Sequence, residues 1–172
     1  RCINREWFNL PMEQVWQVYS EELYMTNKIH NLQIHSFILM SNHWHLIAST
    51  PDSNIDKCMH RFMNATSHRL LQMGNRINQT YGNRYYRCVL KDPSHFLCAY
   101  KYNYQNPLVA GACERVEQYP YSTLNGLLGF QHLLIPMVED STLFNSVEET
   151  LGWLNRLTPA KERKAMKVAL KR

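Results

Sequence analysis

Two histidines separated by a single residue are the side chains of this sequence best suited to metal binding or catalysis. His43 and His45 enclose Trp44, in an apolar segment that turns at Ser41 and Asn42. On a β-strand, residues i and i+2 point to the same face, so the two imidazoles should project together while Trp44 packs into a core. Two imidazoles held side by side on a strand make half of a metal site.

A tyrosine and an asparagine later in the chain are candidates for the second half of this site. Tyr102 and Asn106 are four residues apart in a segment with helical character, so they should share one helix face. If that helix packs over the histidine strand, the amide oxygen of Asn106 can join the two imidazole nitrogens. Such a mixed set leaves room for water and a phosphate oxygen, which suits Mg²⁺ or Mn²⁺ better than a closed zinc site.

The hydroxyl of Tyr102 is a candidate nucleophile. A tyrosine has an unperturbed pKa near 10 and is a weak nucleophile while it keeps its proton. Attack on a phosphodiester becomes feasible when a metal ion polarises the phosphate and offsets the developing charge. The product would be a phosphotyrosine link that preserves the energy of the broken bond, so a 3′-hydroxyl could later reverse the step without ATP.

Hydrophobic periodicity predicts the elements that must position these residues. Helical spacing occurs over residues 12–25, 54–72, 94–105 and 146–157, and in a final basic segment after Pro159. Two apolar strands, over residues 32–40 and 43–49, should form a hairpin with Met40 opposite His43 and Ile38 opposite His45. Both faces of this hairpin are apolar apart from the histidines, which predicts layers on both sides.

Two further local predictions concern the chain after the hairpin. A strand is expected around residues 87–90, after a loop rich in Arg, Asn and Tyr over residues 73–87. Pro107 is expected to end the helix that carries Tyr102, because proline lacks an N–H and disfavours helical geometry before it.

Composition indicates a globular protein with an anionic partner. The 172 residues are 45% hydrophobic, which suits one domain with a proper core. No apolar run approaches the ~20 residues that a membrane-spanning helix needs. The net charge of +5, with ten tyrosines and four tryptophans, favours single-stranded nucleic acid, because bases stack on rings while basic side chains follow phosphates. Five scattered cysteines without a Cys-x-x-Cys pair suit a reducing cytoplasm.

Several basic residues are candidate DNA contacts. The predicted contacts are Arg61, Arg69, Arg76, Arg84, Arg87 and Lys101, with a second group near the C-terminus formed by Lys161, Arg163, Lys164, Lys167, Lys171 and Arg172. These charged faces could equally be solvated surfaces with no ligand.

Three motifs together resemble those of the HUH endonucleases. Residues 40–46, Met-Ser-Asn-His-Trp-His-Leu, resemble the Met-Pro-Asn-His-x-His-Leu segment of single-tyrosine transposases, with Ser41 in place of Pro. Residues 102–111, Tyr-Asn-Tyr-Gln-Asn-Pro-Leu-Val-Ala-Gly, are similar to the Tyr-x-x-x-Asn-Pro-Val-x-Ala segment of the REP-associated tyrosine transposases. Residues 119–122, Tyr-Pro-Tyr-Ser, resemble their Tyr-Pro-Trp-Ser. The resemblance runs from the N-terminus to about Gly129.

This resemblance implies an α+β fold, ferredoxin-like, with helices against an antiparallel sheet and the histidines on a central strand. It implies a catalytic domain over residues 1–129 and a basic helical extension over residues 130–172. The family's first strand should lie before Arg1. The flanking tyrosines, Tyr100 and Tyr104, should point about 200° away from Tyr102 on a helix and rank lower as nucleophiles.

The resemblance also implies a function. It predicts metal-dependent nicking and rejoining of single-stranded DNA near a REP-like hairpin, through a 5′-phosphotyrosine intermediate. By matching position, His43, His45 and Asn106 would hold Mg²⁺ or Mn²⁺ and Tyr102 would attack. We also expect a bacterial cytoplasmic protein with no membrane association, acting as a monomer or homodimer.

Alternative interpretations stay open at this point. A non-catalytic relative could hold DNA or RNA hairpins, although the presence of all four site residues weighs against it. A zinc hydrolase could use His43, His45 and a third histidine, but the sequence places no carboxylate base beside them. The histidines could also be two satisfied core or edge side chains.

Overall fold

The structure is a computed structural model that describes residues 8–74, 80–81 and 85–170. The helices are α1 (Met12–His30), α2 (Ile55–Gly74), α3 (Pro93–Val109), α4 (Thr123–Leu127), α5 (Ser141–Asn145), α6 (Val147–Asn155) and α7 (Ala160–Ala169). The strands are β1 (Gln33–Leu39) and β2 (Trp44–Ser49), and a single turn of 3-10 helix covers Val116–Gln118. The predicted α+β class is confirmed.

The hairpin has the predicted register. β1 and β2 pair antiparallel, with Ile38 opposite His45 and Leu39 opposite Trp44. The Met40 N–H donates to the His43 carbonyl at 2.8 Å, which closes the turn. The register of the pair therefore fixes the face from which the two histidines project. A slip of one residue would move them to the other face.

The two faces of the hairpin enter different cores. Phe37, Leu39 and Trp44 pack with residues of α1 and α2, including the buried Phe62. Residues of the other face, such as Ile38, pack against α3 and the segments after it. The prediction of layers on both sides is confirmed. Because directly opposed residues share a face, His45 lies on the α3 side of the sheet with Ile38.

The second edge of β1 is bound by residues that follow α3. The Leu39 N–H donates to the Tyr121 carbonyl at 2.9 Å, and the Tyr119 hydroxyl donates to the Leu39 carbonyl at 2.7 Å. The Phe37 N–H donates to Thr123 Oγ1 at 3.0 Å. Within the described residues, β2 pairs with β1 alone, so β1 holds the inner position. Residues 1–7, next to the expected first strand, lie outside the described ranges.

The strand predicted around residues 87–90 is wrong, because residues 85–90 form neither helix nor strand. The side chains of this segment bind the start of α2 instead. The Tyr85 hydroxyl donates to Asp56 Oδ1 at 2.7 Å, and Arg87 donates to the same oxygen at 3.2 Å. These contacts hold the segment against the start of α2.

The segment after residue 129 packs directly on α3. Leu143 and Leu154 lie in the same buried cluster as Tyr100 and Tyr104. The Tyr100 hydroxyl donates to Asp140 Oδ2 at 2.7 Å in a buried position. The division between residues 1–129 and 130–172 stays a prediction. None of the described helices combines the length and apolar character that crossing a membrane requires.

Candidate active site

The histidines project from β2 and the turn before it. The His43 and His45 rings lie 5.0 Å apart, centroid to centroid, so the expected side-by-side arrangement is confirmed. Both side chains are half-buried, and Nε2 of His45 is a buried atom. The Nδ1 of His43 lies 2.7 Å from Oδ1 of Asn42, a contact that the sequence interpretation missed.

Tyr102 lies across from the histidines, as predicted. Its ring centroid is 5.8 Å from that of His45, with the two planes nearly perpendicular at 83°. The residues after it anchor α3 in this position. Asn103 donates from Nδ2 to Ser36 Oγ on β1 at 3.4 Å. The Tyr104 hydroxyl lies 3.1 Å from Thr123 Oγ1, beside the other edge of β1. Tyr102 is half-buried rather than enclosed.

The flanking tyrosines have a different environment. Tyr100 and Tyr104 are 0% and 2% exposed, and their rings are in contact at 4.8 Å. Burial raises the pKa of both hydroxyls above the ordinary value, and Asp140 raises both further. They are therefore kept protonated inside the core. Tyr102 is the tyrosine of this helix that faces the histidines, which agrees with its predicted rank.

Asn106 lies one helical turn after Tyr102. Its Nδ2 donates to the Tyr102 carbonyl at 2.7 Å and contacts the Asn103 carbonyl at 3.4 Å. The prediction that Pro107 ends the helix is wrong, because α3 continues to Val109 with Pro107 inside it. Pro107 cannot supply the N–H that would bond Asn103, and the Asn106 amide donates to that carbonyl instead. Since these bonds use the amide nitrogen, the oxygen is the atom that could bind a ligand.

The candidate donor set is the two neighbouring imidazoles and, one helical turn after Tyr102, the amide oxygen of Asn106. In the described ranges, no group of three or more His, Cys, Asp or Glu side chains could hold a metal ion. The third histidine of a zinc hydrolase is thus not supplied by that part of the chain. Imidazole nitrogen and amide oxygen together fit an ion that accepts both and keeps water ligands.

Two of the predicted DNA contacts bind carboxylates of the protein. Arg61 Nη1 lies 3.0 Å from Glu22 Oε2. Arg69 lies 2.6 Å from Glu21 Oε2 and 3.1 Å from Glu22 Oε1. These ion pairs join α2 to α1. The positive charge of both arginines is therefore largely compensated within the protein.

The other predicted contacts have varied positions. Arg87 pairs with Asp56 at an exposed site, and the Lys101 Nζ lies 5.0 Å from the Trp153 ring centroid. Burial lowers the pKa of Lys101, and Arg156 lowers it further.

The predicted contacts near the C-terminus lie on α7 or after it. Three lysines of α7 are exposed, Lys161, Lys164 and Lys167, and Arg163 on the same helix is half-buried. Arg76, Arg84, Lys171 and Arg172 lie outside the described residues.

The loop rich in Arg, Asn and Tyr, which the sequence makes the best candidate for a nucleic-acid contact, presents an exposed aromatic side chain. Tyr86 is 84% exposed and stands directly before Arg87. A ring this exposed beside a basic side chain is a suitable platform for base stacking. Its sequence signal was the alternation of Tyr and Arg in this loop.

The chain is similar to a known protein family and to a solved structure. The family model described as "Transposase IS200 like" matches residues 4–105, a span that contains both histidines and Tyr102. A solved structure, "Structure of the REP associates tyrosine transposase bound to a REP hairpin", is similar with a TM-score of 0.61 and 14% sequence identity. The match covers 81% of this chain and 82% of that one. No curated protein sequence matches the chain.

The solved transposase therefore has a fold like that of this chain. The family model spans more than half of the sequence and includes the hairpin, α2 and most of α3. The chain belongs to the IS200-like transposase family.

Proposed function

We propose that this protein is a single-stranded DNA endonuclease and strand transferase that nicks DNA near hairpins and can rejoin it. The observation that carries the proposal is the 5.8 Å approach of the Tyr102 ring to His45, with His43 at 5.0 Å from His45, in a transposase family member. A nucleophile and two imidazoles on rigid elements are the parts that this chemistry needs.

The assigned metal ligands are His43, His45 and Asn106, with Mg²⁺ or Mn²⁺ as the ion. When bound, the ion would polarise a phosphodiester and offset negative charge. The anchoring of the Asn106 amide nitrogen to the α3 backbone supports this set, because it leaves the oxygen as the ligand atom. The set combines atoms that Mn²⁺ and Mg²⁺ accept in proteins.

The reaction assigned to Tyr102 is attack of its oxygen on phosphorus. The new oxygen–phosphorus bond replaces the bond to the 3′ oxygen of the preceding nucleotide. The phenol loses its proton and the departing 3′ oxygen gains one. The products are a free 3′-hydroxyl and a 5′-phosphotyrosine. Attack of a 3′-hydroxyl on that link reverses the exchange and rejoins a strand.

The proposed partner is single-stranded DNA that carries a hairpin, met in the bacterial cytoplasm by a monomer or homodimer. The similar transposase structure has a REP hairpin bound to it. In this chain the exposed Tyr86 and Arg87 support the proposal, because a ring and a guanidinium suit bases and phosphates.

A cleavage assay tests this function. End-labelled hairpin-containing single-stranded DNA is incubated with Mn²⁺, with EDTA, and with His43→Ala, His45→Ala and His68→Ala variants. His68 is an exposed histidine of α2 and serves as the matched control. We expect cleavage by the wild type and His68→Ala alone, and none in EDTA. Equal cleavage by all variants would contradict the proposal, and tight binding without cleavage under Mn²⁺ or Mg²⁺ would favour a non-catalytic hairpin-binding protein.

A further inference from the structure

Asn42 makes a hydrogen bond that determines which ring nitrogen of His43 carries the proton. The distance between His43 Nδ1 and Asn42 Oδ1 is 2.7 Å. An amide oxygen can only accept, so the ring nitrogen must donate its proton. A neutral imidazole carries one N–H, and with that proton on Nδ1 the lone pair is on Nε2.

The turn that carries Asn42 is held in place by backbone hydrogen bonds. The Met40 N–H donates to the His43 carbonyl at 2.8 Å and closes the turn. The Phe8 N–H donates to the Ser41 carbonyl at 3.1 Å, which ties the turn to the segment before α1. The amide oxygen of Asn42 is therefore presented to His43 by a fixed backbone.

We propose that Asn42 is a positioning residue that holds His43 in the Nδ1–H tautomer and leaves Nε2 as the metal-binding nitrogen. The inference rests on the proposed function in taking His43 as a ligand. Metal-bound histidines usually donate their other N–H to a carboxylate or carbonyl, which fixes the ring. Loss of this hydrogen bond would remove the interaction that favours the proton on Nδ1.

A second asparagine–histidine pair offers a matched control. On α2, Nδ2 of Asn64 lies 3.0 Å from Nε2 of His60 at an exposed site. There the amide nitrogen donates, so the ring nitrogen accepts. Asn64→Leu therefore removes a similar contact at an exposed site on α2.

The tautomer can be measured on the wild-type protein without any metal. Long-range ¹H–¹⁵N correlation spectra at about pH 8.5, well above the ordinary histidine pKa of about 6.5, distinguish a protonated ring nitrogen from an unprotonated one. A His43→Gln spectrum assigns the signals. We expect His43 as the Nδ1–H tautomer. The Nε2–H tautomer would mean that the amide nitrogen faces the ring, and would overturn the inference.

Variants test the consequence for the metal. Asn42→Leu should shift His43 toward the Nε2–H tautomer and weaken Mn²⁺ binding, followed by electron paramagnetic resonance of the free ion, by about 10–100-fold. Asn42→Asp keeps an acceptor oxygen and should keep the Nδ1–H tautomer, and Asn64→Leu should match the wild type in both measurements. An unchanged tautomer and Mn²⁺ affinity in Asn42→Leu would refute the inference.

The two proposals can fail separately. If no DNA adduct forms but the tautomer and Mn²⁺ results are as expected, the proposed function fails and the role of Asn42 stands. If the adduct forms and Asn42→Leu binds Mn²⁺ normally, the role of Asn42 fails alone.

Discussion

Three tyrosines at alternate positions of one helix differ in environment rather than in residue type. Helical geometry separates Tyr102 from Tyr100 and Tyr104, and this much could be predicted from spacing. The sequence could not reveal that Tyr100 donates to Asp140, since the two residues are forty positions apart and nothing local links them. It also could not show that Asn42, next to the recognisable histidines, contacts His43.

Substitutions of the predicted DNA contacts should have different effects on DNA binding, according to how the charge of each residue is compensated within the protein. The Arg87–Asp56 pair is exposed, with side chains 57% and 65% accessible, so Arg87 can exchange Asp56 for a phosphate at little cost. Arg61 faces Glu22, whose side chain is 10% accessible. We expect Arg87→Ala to reduce the slope of log K against log salt by about 0.7 for single-stranded DNA. Binding measured from low to high salt checks this.

Arg61→Ala should behave differently in the same titration. It should leave the salt slope unchanged and lower the free energy of unfolding by about 0.5–1.5 kcal/mol, because Glu22 loses one charged partner and keeps Arg69. A reduced slope in Arg61→Ala with normal stability would show that Arg61 contacts phosphate as the sequence suggested.

At the scale of elements, the hairpin was the most predictable part. Its two-residue turn predicted the register, the spacing of the histidines predicted their common face, and Ile38 does lie opposite His45. The end of α3 was not predictable from the proline rule, because the Asn106 side chain replaces the missing donor at Pro107. The expected strand near residue 88 failed because Asp56, far away in sequence, binds this segment.

A buried glutamine joins α3 to the end of α6 and to the segment between α6 and α7. Gln105 is 2% exposed, and its Nε2 donates to the carbonyls of Leu154 at 2.7 Å and Arg156 at 2.9 Å. Its Oε1 accepts from Thr158 Oγ1 at 2.9 Å. We expect Gln105→Leu to lower the free energy of unfolding by about 2 kcal/mol or more, because buried polar groups lose their partners. Urea unfolding checks this.

Hydrogen exchange locates the effect. Amides near residues 154–158 should exchange faster in Gln105→Leu than in the wild type. The control is Gln17→Leu, since Gln17 is exposed and donates to Glu21 at the surface of α1, and its effect should stay within about 0.5 kcal/mol. Wild-type stability in Gln105→Leu would contradict the role of Gln105.

The whole molecule places one hairpin between two cores. One core joins the hairpin to α1 and α2, and the other joins it to α3 and to segments as distant as Leu154. The family resemblance predicted the α+β class and the approach of Tyr102 to the histidines. The packing of the C-terminal segment on α3 was not predictable, because it depends on single contacts such as Tyr100 with Asp140.

Buried phenols should make the fold sensitive to alkali. Burial raises the pKa of Tyr100, Tyr104 and Tyr119, and raises that of Tyr121 to about 12 with help from Glu13. In the unfolded chain these groups ionise near pH 10. The stability they contribute is therefore complete below about pH 10 and is lost as the pH rises toward the folded values, by about 1.4 kcal/mol per pH unit for each of the buried phenols Tyr100, Tyr104 and Tyr119.

Urea unfolding as a function of pH, with phenolate absorbance recorded in parallel, checks this expectation. Stability should decline above about pH 10, and the buried phenols should ionise together with unfolding. Ionisation of all tyrosines near pH 10 with the fold intact would contradict the described burial.

The central claim is that Tyr102 attacks DNA beside the two histidines. The most direct measurement is incubation with hairpin-containing single-stranded DNA and Mn²⁺, isolation of the SDS-stable adduct, and identification of the modified residue by mass spectrometry. We predict a 5′-phosphotyrosine at Tyr102, normal adduct formation in the exposed-tyrosine control Tyr24→Phe on α1, and no adduct in Tyr102→Phe despite continued DNA binding. An adduct on any other residue, or a normal yield from Tyr102→Phe, would contradict the claim.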